Sequence, residues 1–243
     1  MESSENIKIA AFQARIGCGI PYNFLKEIID YNPDFTILPE YFWIKTGAVD
    51  YASAAKSFKS SFEESTELSK KLSGYLISGT MIESEEDMLY NTCFIFKNGE
   101  LIGKHRKVHL FGNECSVLTP GDGFYVYNLG GINCGILTCA DNLHESSFLK
   151  MKELNARIIF APTFSKILPE DTPEEKFKRD TDIFQKGAIT SGTILIKCCS
   201  VGKLFDNIAN GRSLICTPDS FIYRSEETSE KEVKVITAEI NIM

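Results

Sequence analysis

The chain predicts an α/β fold. Apolar runs of strand length recur from end to end, stretches of helical spacing stand between several of them, and hairpin signals are mixed in. With 243 residues, 43% of them hydrophobic, there is material for one well-buried core. Ile7, Ile9 and Ala11 alternate through Gln13 as a first strand. Residues 21–31 read as a helix and 35–39 as a second, buried strand. Asp50 is placed to cap a long helix over 51–73, where Tyr51, Ala55, Phe58, Phe62, Leu68 and Leu72 fall near helical spacing. A strand over 75–80 follows. Residues 89–96 and 100–104 form a hairpin about Lys97-Asn-Gly.

Further strands are expected at 124–128 and 132–138, a helix over 143–154, and a buried strand over 157–161. Thr172-Pro-Glu-Glu175 is a helix start, with Pro at the first helical position and Glu at the third, carrying a helix to Ala188. Strands at 193–199, 212–216, 221–223 and 233–240 complete the chain, and the charged stretch 224–232 is a solvated turn. No linker or low-complexity tract interrupts it, so residues 1–243 read as a single domain. Ile-Leu-Pro-Glu40 and Phe-Ala-Pro-Thr163 both end an apolar strand with Pro and a polar residue, an echo that suits two halves built alike.

The net charge of -7, without a dominating basic patch, argues against nucleic-acid binding. The sequence has no membrane-spanning run, and its first residues lack a signal-peptide pattern, so a cytoplasmic location is expected. Eight cysteines with no C-x-x-C pair read as reduced and mostly buried. His105, His109 and His144 are too scattered for a metal site, so neither metal nor cofactor is expected.

Three segments carry chemistry. Cys139 closes the run 132–139 and is followed at once by Ala-Asp-Asn: strand, sharp turn, helix start. A nucleophile at such a turn is held rigidly, and the next backbone N–H can face a reacting carbonyl. Glu40 ends the run 35–40. Lys107 lies in Gly103-Lys-His-Arg-Lys-Val-His-Leu-Phe111. Taken singly, each has a bland reading: Glu40 as a solvated turn residue or cap, Lys107 as a surface lysine, Cys139 as packing like Cys134.

Together they resemble the nitrilase superfamily of carbon–nitrogen hydrolases, whose catalytic set is Glu, Lys and Cys in that chain order. The matching segments are Leu38-Pro-Glu-Tyr-Phe, Tyr90-Asn-Thr with Gly103–Phe111, and Gly135-Ile-Leu-Thr-Cys-Ala-Asp141, with weaker echoes at Val201-Gly202, Gly211-Arg-Ser and Thr217-Pro218. The resemblance runs from about residue 7 to the end of the chain. It implies a four-layer αββα sandwich and self-association as a homodimer or higher oligomer. It also implies hydrolysis of a small-molecule amide through a cysteine thioester, releasing ammonia or an amine, with amides favoured over nitriles.

Under that resemblance Cys139 is the nucleophile and Glu40 the base. Lys107 and the Ala140 N–H stabilise developing charge, and Glu114, ahead of the Pro120-Gly121 turn, positions Lys107 and the substrate. Two other readings stay open: an inactive binding module on the same fold, and an acyltransferase using the same thioester. Asp141 and Asn142 are expected to cap the following helix, Asn91 to bond loop backbone, and His109 to be a satisfied core histidine. Cys115 is expected to pack, and Tyr41, Phe42 and Trp43 to form core, pocket wall or dimer contact. After Cys139 the text Ala140-Asp-Asn-Leu-His-Glu145 lacks the family's usual aromatic and Arg. Gly187-Ala-Ile-Thr-Ser191 and Cys199-Ser-Val-Gly202 replace other polar family positions, so substrate selectivity does not carry over.

Overall fold

The computed structural model describes residues 5–168 and 171–242. The first half of the chain runs β1 (Glu5–Arg15), α1 (Tyr22–Tyr31), β2 (Phe35–Ile37), α2 (Tyr51–Ala55), α3 (Phe58–Ser69), β3 (Tyr75–Glu85), β4 (Met88–Lys97) and β5 (Glu100–Arg106). Next come β6 (Val126–Leu129), β7 (Ile132–Ile136), α4 (Glu145–Glu153) and β8 (Ile158–Thr163). The remainder is α5 (Pro173–Arg179), a π-helical stretch (Asp180–Gln185), α6 (Lys186–Ser191), β9 (Ile194–Leu204), β10 (Asn207–Ala209), β11 (Leu214–Cys216), β12 (Phe221–Arg224) and β13 (Lys234–Ile242).

The strands lie in the order β5-β4-β3-β2-β1-β9-β8-β7-β6, with β13 antiparallel to β1. The junction in the middle is slight. Only Ala14 and Arg15 of β1 pair with Ser200 and Val201 of β9, so the path divides into two sheets. Alternation decides what lies between them. Ile7, Ile9, Phe35, Ile37 and Ile95 of one sheet share a fully buried cluster with Cys134, Ile136, Phe160, Ile196 and Cys198 of the other. Each large apolar side chain buried there stabilises by roughly 1.5–3 kcal/mol, which makes this layer the clamp between the sheets. The opposite face of the first sheet, including Ala10, Phe12 and Phe94, packs under α1 and α3 through Ile28 and Leu68. That of the second, including Ile159 and Leu195, packs under α4 and α6 through Phe148, Met151 and Ala188. The four-layer αββα sandwich expected from the resemblance is the architecture found. The Pro39 and Pro162 strands also flank the β1–β9 junction in equivalent places, which gives the internal echo a topological counterpart.

The expected strands all occur, some longer than expected and those at 35–39, 132–138 and 212–216 shorter, and β10 is unexpected. Two helices differ. The one expected over 51–73 is broken: Asp50 caps α2 through the Ser53 N–H at 2.7 Å, but the Ser57 hydroxyl bonds the Ala54 carbonyl at 2.8 Å, and α3 starts afresh at Phe58. A serine that satisfies local backbone in this way offers the chain an exit from the helix. The helix begun at Thr172 widens to π geometry at Asp180, then resumes to Ser191. Cys18 and Cys115 are exposed rather than buried: Cys115 sits on a one-turn 3-10 helix (Gly112–Ser116) whose inward place is taken by Glu114. No helix among the described residues is long and apolar enough to cross a membrane.

Candidate active site

Loops leaving the ends of β2, β5, β7 and β8 converge on a cavity of about 540 Å³ lined by Glu40, Lys107, Glu114, Cys139, Ala140 and Phe164, among others. Glu40 follows β2, Lys107 follows β5, Glu114 sits on the 3-10 turn after it, and Cys139 follows β7. The structure therefore brings together the residues singled out from sequence, Glu40, Lys107 and Glu114 from the side of the first sheet and Cys139 with Ala140 from the second.

Backbone geometry at two of these points is unusual. Cys139 adopts φ 45° and Tyr41 φ 61°, both in the left-handed region that disfavours L side chains. At Cys139 this is the sharp elbow anticipated from sequence. Behind Glu40, Gly79 (φ 68°) lets β3 pass so close that a Cβ there would lie 2.2 Å from the Pro39 carbonyl oxygen. The Thr80 hydroxyl then accepts the Tyr41 N–H at 2.9 Å. The strained turn is thus pinned by its neighbour strand.

Lys107 Nζ lies between two carboxylates, 2.9 Å from Glu40 Oε1 and 2.7 Å from Glu114 Oε2. Asn91 Nδ2 spans the same two groups, donating to Glu40 Oε1 at 3.0 Å and Glu114 Oε1 at 2.9 Å. Glu114 also accepts from the Tyr41 hydroxyl and from the Phe111 N–H. Glu40 Oε2 accepts the Phe164 N–H at 2.8 Å, and the Cys139 thiol donates to the Phe164 carbonyl at 3.7 Å. Cys139 is partly open to the cavity as a residue, while its sulfur sits deep, beside the Glu40 carboxylate.

The electrostatics follow from two carboxylates sharing one buried ammonium. Burial pushes the Glu40 pKa up, Lys107 draws it down, Glu114 pushes it up again, and the net result is raised. Burial opposes the charge on Lys107, but Glu40, Cys139 and Glu114 outweigh it and hold the ammonium well above its ordinary pKa. Burial and the Glu40 charge push the Cys139 thiol well above its ordinary value, with Lys107 opposing. The resting state is a neutral thiol beside a carboxylate of enhanced basicity and a fixed cation. Such a set can deprotonate a thiol at the moment of attack and stabilise a developing oxyanion.

Asn91 and Asp141 depart from expectation. Asn91 bonds the two carboxylates, not loop backbone. Its position in the Tyr90-Asn-Thr match was the available signal. Asp141 does not cap α4, whose N-cap is His144 with no side-chain bond. Its carboxylate instead accepts the N–H groups of Thr138, Val108 and His109 at 2.9, 3.1 and 2.8 Å, and is bonded to His105 Nε2 at 2.9 Å and His109 Nδ1 at 3.2 Å. These bonds outweigh burial and hold Asp141 far below the usual carboxylate range. Asp141 is the tie between the Lys107 loop and the Cys139 elbow. Asn142 likewise binds the Leu137 and Cys139 carbonyls within the elbow instead of capping α4. His109 is half-buried and satisfied by Asp141. Tyr41 lines the cavity, whereas Phe42 and Trp43 belong to the core under α3. Among the described residues no cluster of His, Cys, Asp and Glu is placed to hold a metal ion.

The family model described as "Carbon-nitrogen hydrolase" matches residues 22–242. Among curated proteins, the chain is 32% identical over 130 residues to the human omega-amidase NIT2, covering 49% of this chain and 47% of that protein. It is 28% identical over 169 residues to a nitrilase of Pyrococcus abyssi, covering 69% of this chain and 60% of that protein. These matches span about half the length of the omega-amidase relatives. Among solved structures, a carbon-nitrogen hydrolase of Helicobacter pylori superposes with a TM-score of 0.81 at 20% identity, covering 98% of this chain and 90% of that one. An amidase of Nesterenkonia sp. superposes with a TM-score of 0.79 at 16% identity, covering 99% and 92%.

Proposed function

From the premise that this chain belongs to the carbon–nitrogen hydrolase family of the nitrilase superfamily, we propose that it hydrolyses the C–N bond of a small amide through a thioester on Cys139. The observation that carries this reading is the buried Glu40–Lys107–Glu114 bridge beside the Cys139 thiol at the cavity wall. The names of the relatives, amidases and omega-amidases among them, support an amide substrate over a nitrile.

In this mechanism Glu40 takes the thiol proton as sulfur attacks the amide carbon, and the C=O electron pair moves to oxygen. The Lys107 ammonium and the Ala140 N–H stabilise that oxyanion. Glu114 and Asn91 hold Lys107 and Glu40 in place, so no reorganisation is needed as charge develops. Collapse breaks the C–N bond, and the leaving nitrogen takes the proton from Glu40. A water then gives its proton to Glu40, attacks the thioester carbonyl, and the acid departs as the thiol is restored. The raised basicity of Glu40 serves both steps. The residue roles, a single domain over 1–243, and self-association as a dimer are parts of the proposal; light scattering on the purified chain checks the last.

The direct test is ammonia release from a panel of aliphatic amides, with intact-mass detection of the acyl-enzyme. Turnover with an acyl adduct confined to Cys139, lost by a factor on the order of 10⁴ or more in Cys139→Ala, is expected. Retained turnover in that variant would end the proposal.

A further inference from the structure

A second hollow, of about 430 Å³, opens at the seam between the sheets, where Arg15 of β1 pairs with Val201 of β9. Arg15, Lys203 on β9 and Lys231 on the loop before β13 line it, and no aspartate or glutamate does. On a chain of net charge -7 this is a local reversal of sign. All three cations are exposed, and among the described residues none forms an ion pair with a carboxylate. Glu230, the neighbour of Lys231, is already taken by Lys176 and Asn210. Cations gathered without a counter-ion repel one another, and an anion that bridges them removes the repulsion.

The hollow shares a wall with the catalytic cavity. β9 and β10 form a hairpin, and residues 165–167 run beside β10. The Ile167 N–H donates to the Ile208 carbonyl at 2.9 Å, and the Asn210 N–H donates to the Ser165 carbonyl at 2.9 Å. The two sites divide this ribbon between them: Ser165, Phe205 and Asn207 line the catalytic cavity, whereas Ile167, Lys203 and Ile208 line the hollow. At the root of the ribbon stands Phe164, whose N–H and carbonyl hold Glu40 and Cys139. The lining also describes an occupant. Three cations from three segments suit a group with three terminal oxygens, two of which the Arg15 fork can take at once, whereas a carboxylate offers only two in one plane. Ile16, Ile167, Val201 and Ile208 supply an apolar wall for the body that carries the charge.

We propose that this hollow binds a small phosphomonoester, and that its occupancy stiffens the shared ribbon and holds Phe164 against Glu40 and Cys139. The binding stands apart from the amide-hydrolysis reading. The coupling is read at the Cys139 thiol rather than from turnover, so a chain that turned over no amide would leave both parts of the proposal standing.

Two exposed cysteines give the test an internal control, since Cys18 lines the hollow and Cys115 does not. The experiment is site-resolved alkylation of the full chain by N-ethylmaleimide, titrated with phenyl phosphate, inorganic phosphate or benzoate. Saturating phenyl phosphate should slow Cys18 about fivefold or more and leave Cys115 within about twofold. Inorganic phosphate, which lacks the apolar body, and benzoate, which lacks the third oxygen, should each need about tenfold higher concentrations. Arg15→Met and Lys203→Met, at exposed positions that tolerate substitution, should each raise the half-protecting concentration about tenfold, the scale of one charge-assisted bond. Lys152→Met, on α4 and outside the hollow, should leave it within about twofold. Cys139 should be alkylated about twofold or more slowly at saturation, and that change should vanish in both hollow variants. Unslowed Cys18, equal slowing of Cys115, benzoate as potent as phenyl phosphate, or protection unmoved by both hollow variants would overturn the site. A Cys139 rate that stays constant or rises, or that slows equally in the variants because the probe enters the catalytic cavity, would overturn the coupling.

Discussion

In the proposed mechanism a single residue, Glu40, sets the chemistry. Its pKa is raised above the ordinary 4.5, first by burial. The acid limb of kcat/KM should therefore lie above 4.5, with activity falling as the pH drops through the folded value. The stability sign runs the other way. Folding keeps the proton on Glu40 past the pH at which the unfolded chain releases it, so this group's stabilisation is full below 4.5 and is lost as the pH rises through the folded value. Glu40→Gln, which cannot ionise, should gain in melting temperature relative to wild type between pH 4.5 and pH 8 while losing turnover. A gap that narrows with rising pH would contradict the assignment. Asn91→Ala should cost about 1.5–3 kcal/mol, because two buried carboxylates each lose a donor, and chemical denaturation measures it. Glu40, Lys107 and Cys139 were legible because each ends or follows an apolar run in a matched segment. The roles of Asn91 and Asp141 were not. Their partners lie 51 and 23 residues away for Asn91, and 36 and 32 for Asp141, separations at which no local pattern exists.

Elements were read well wherever local pattern decides them. The hairpin at Lys97-Asn-Gly has both Asn98 and Gly99 at positive φ, as a two-residue turn requires, and Thr172 caps α5 as its sequence foretold. The interruptions escaped notice because the hydrophobic spacing runs on across both. The break before α3 has a serine in competition with the ladder, and the π stretch turns Asp180 onto three cations, Lys197, Arg212 and Arg224. Gly79 belongs to this scale too. Gly79→Ala should destabilise by about 1–3 kcal/mol from backbone strain alone, and should lower kcat more than it raises KM, because the displaced Pro39 carbonyl precedes Glu40 directly. Steady-state kinetics on the folded variant would check this, and an unchanged kcat would show that the turn tolerates the shift.

For the molecule as a whole, alternation announced strands and helices but not which strands pair. The first and second sheets are joined by only two residue pairs, and their facing layer assembles from segments as far apart in the chain as Ile7 and Ile196. The sandwich was accessible only through the resemblance to a family. Phe160, 5.4 Å centroid to centroid from Phe35 across that layer, is a measure of its worth. Phe160→Ala should cost about 3–5 kcal/mol in denaturant titration, and a loss under 1 kcal/mol would mean that the layer collapses around the gap.

Phe164, described above as donor to Glu40 through its N–H and acceptor from Cys139 through its carbonyl, follows the end of β8 and reaches the carboxylate that leaves the end of β2. In the proposed mechanism the proton's giver and taker are therefore mounted on opposite slabs and aligned by the backbone of one residue. Sliding one slab past the other by a fraction of an ångström would spoil that alignment without melting either. Turnover should then fade at denaturant concentrations, or pressures, that leave the circular dichroism spectrum untouched, so the chain would go silent well before it comes apart.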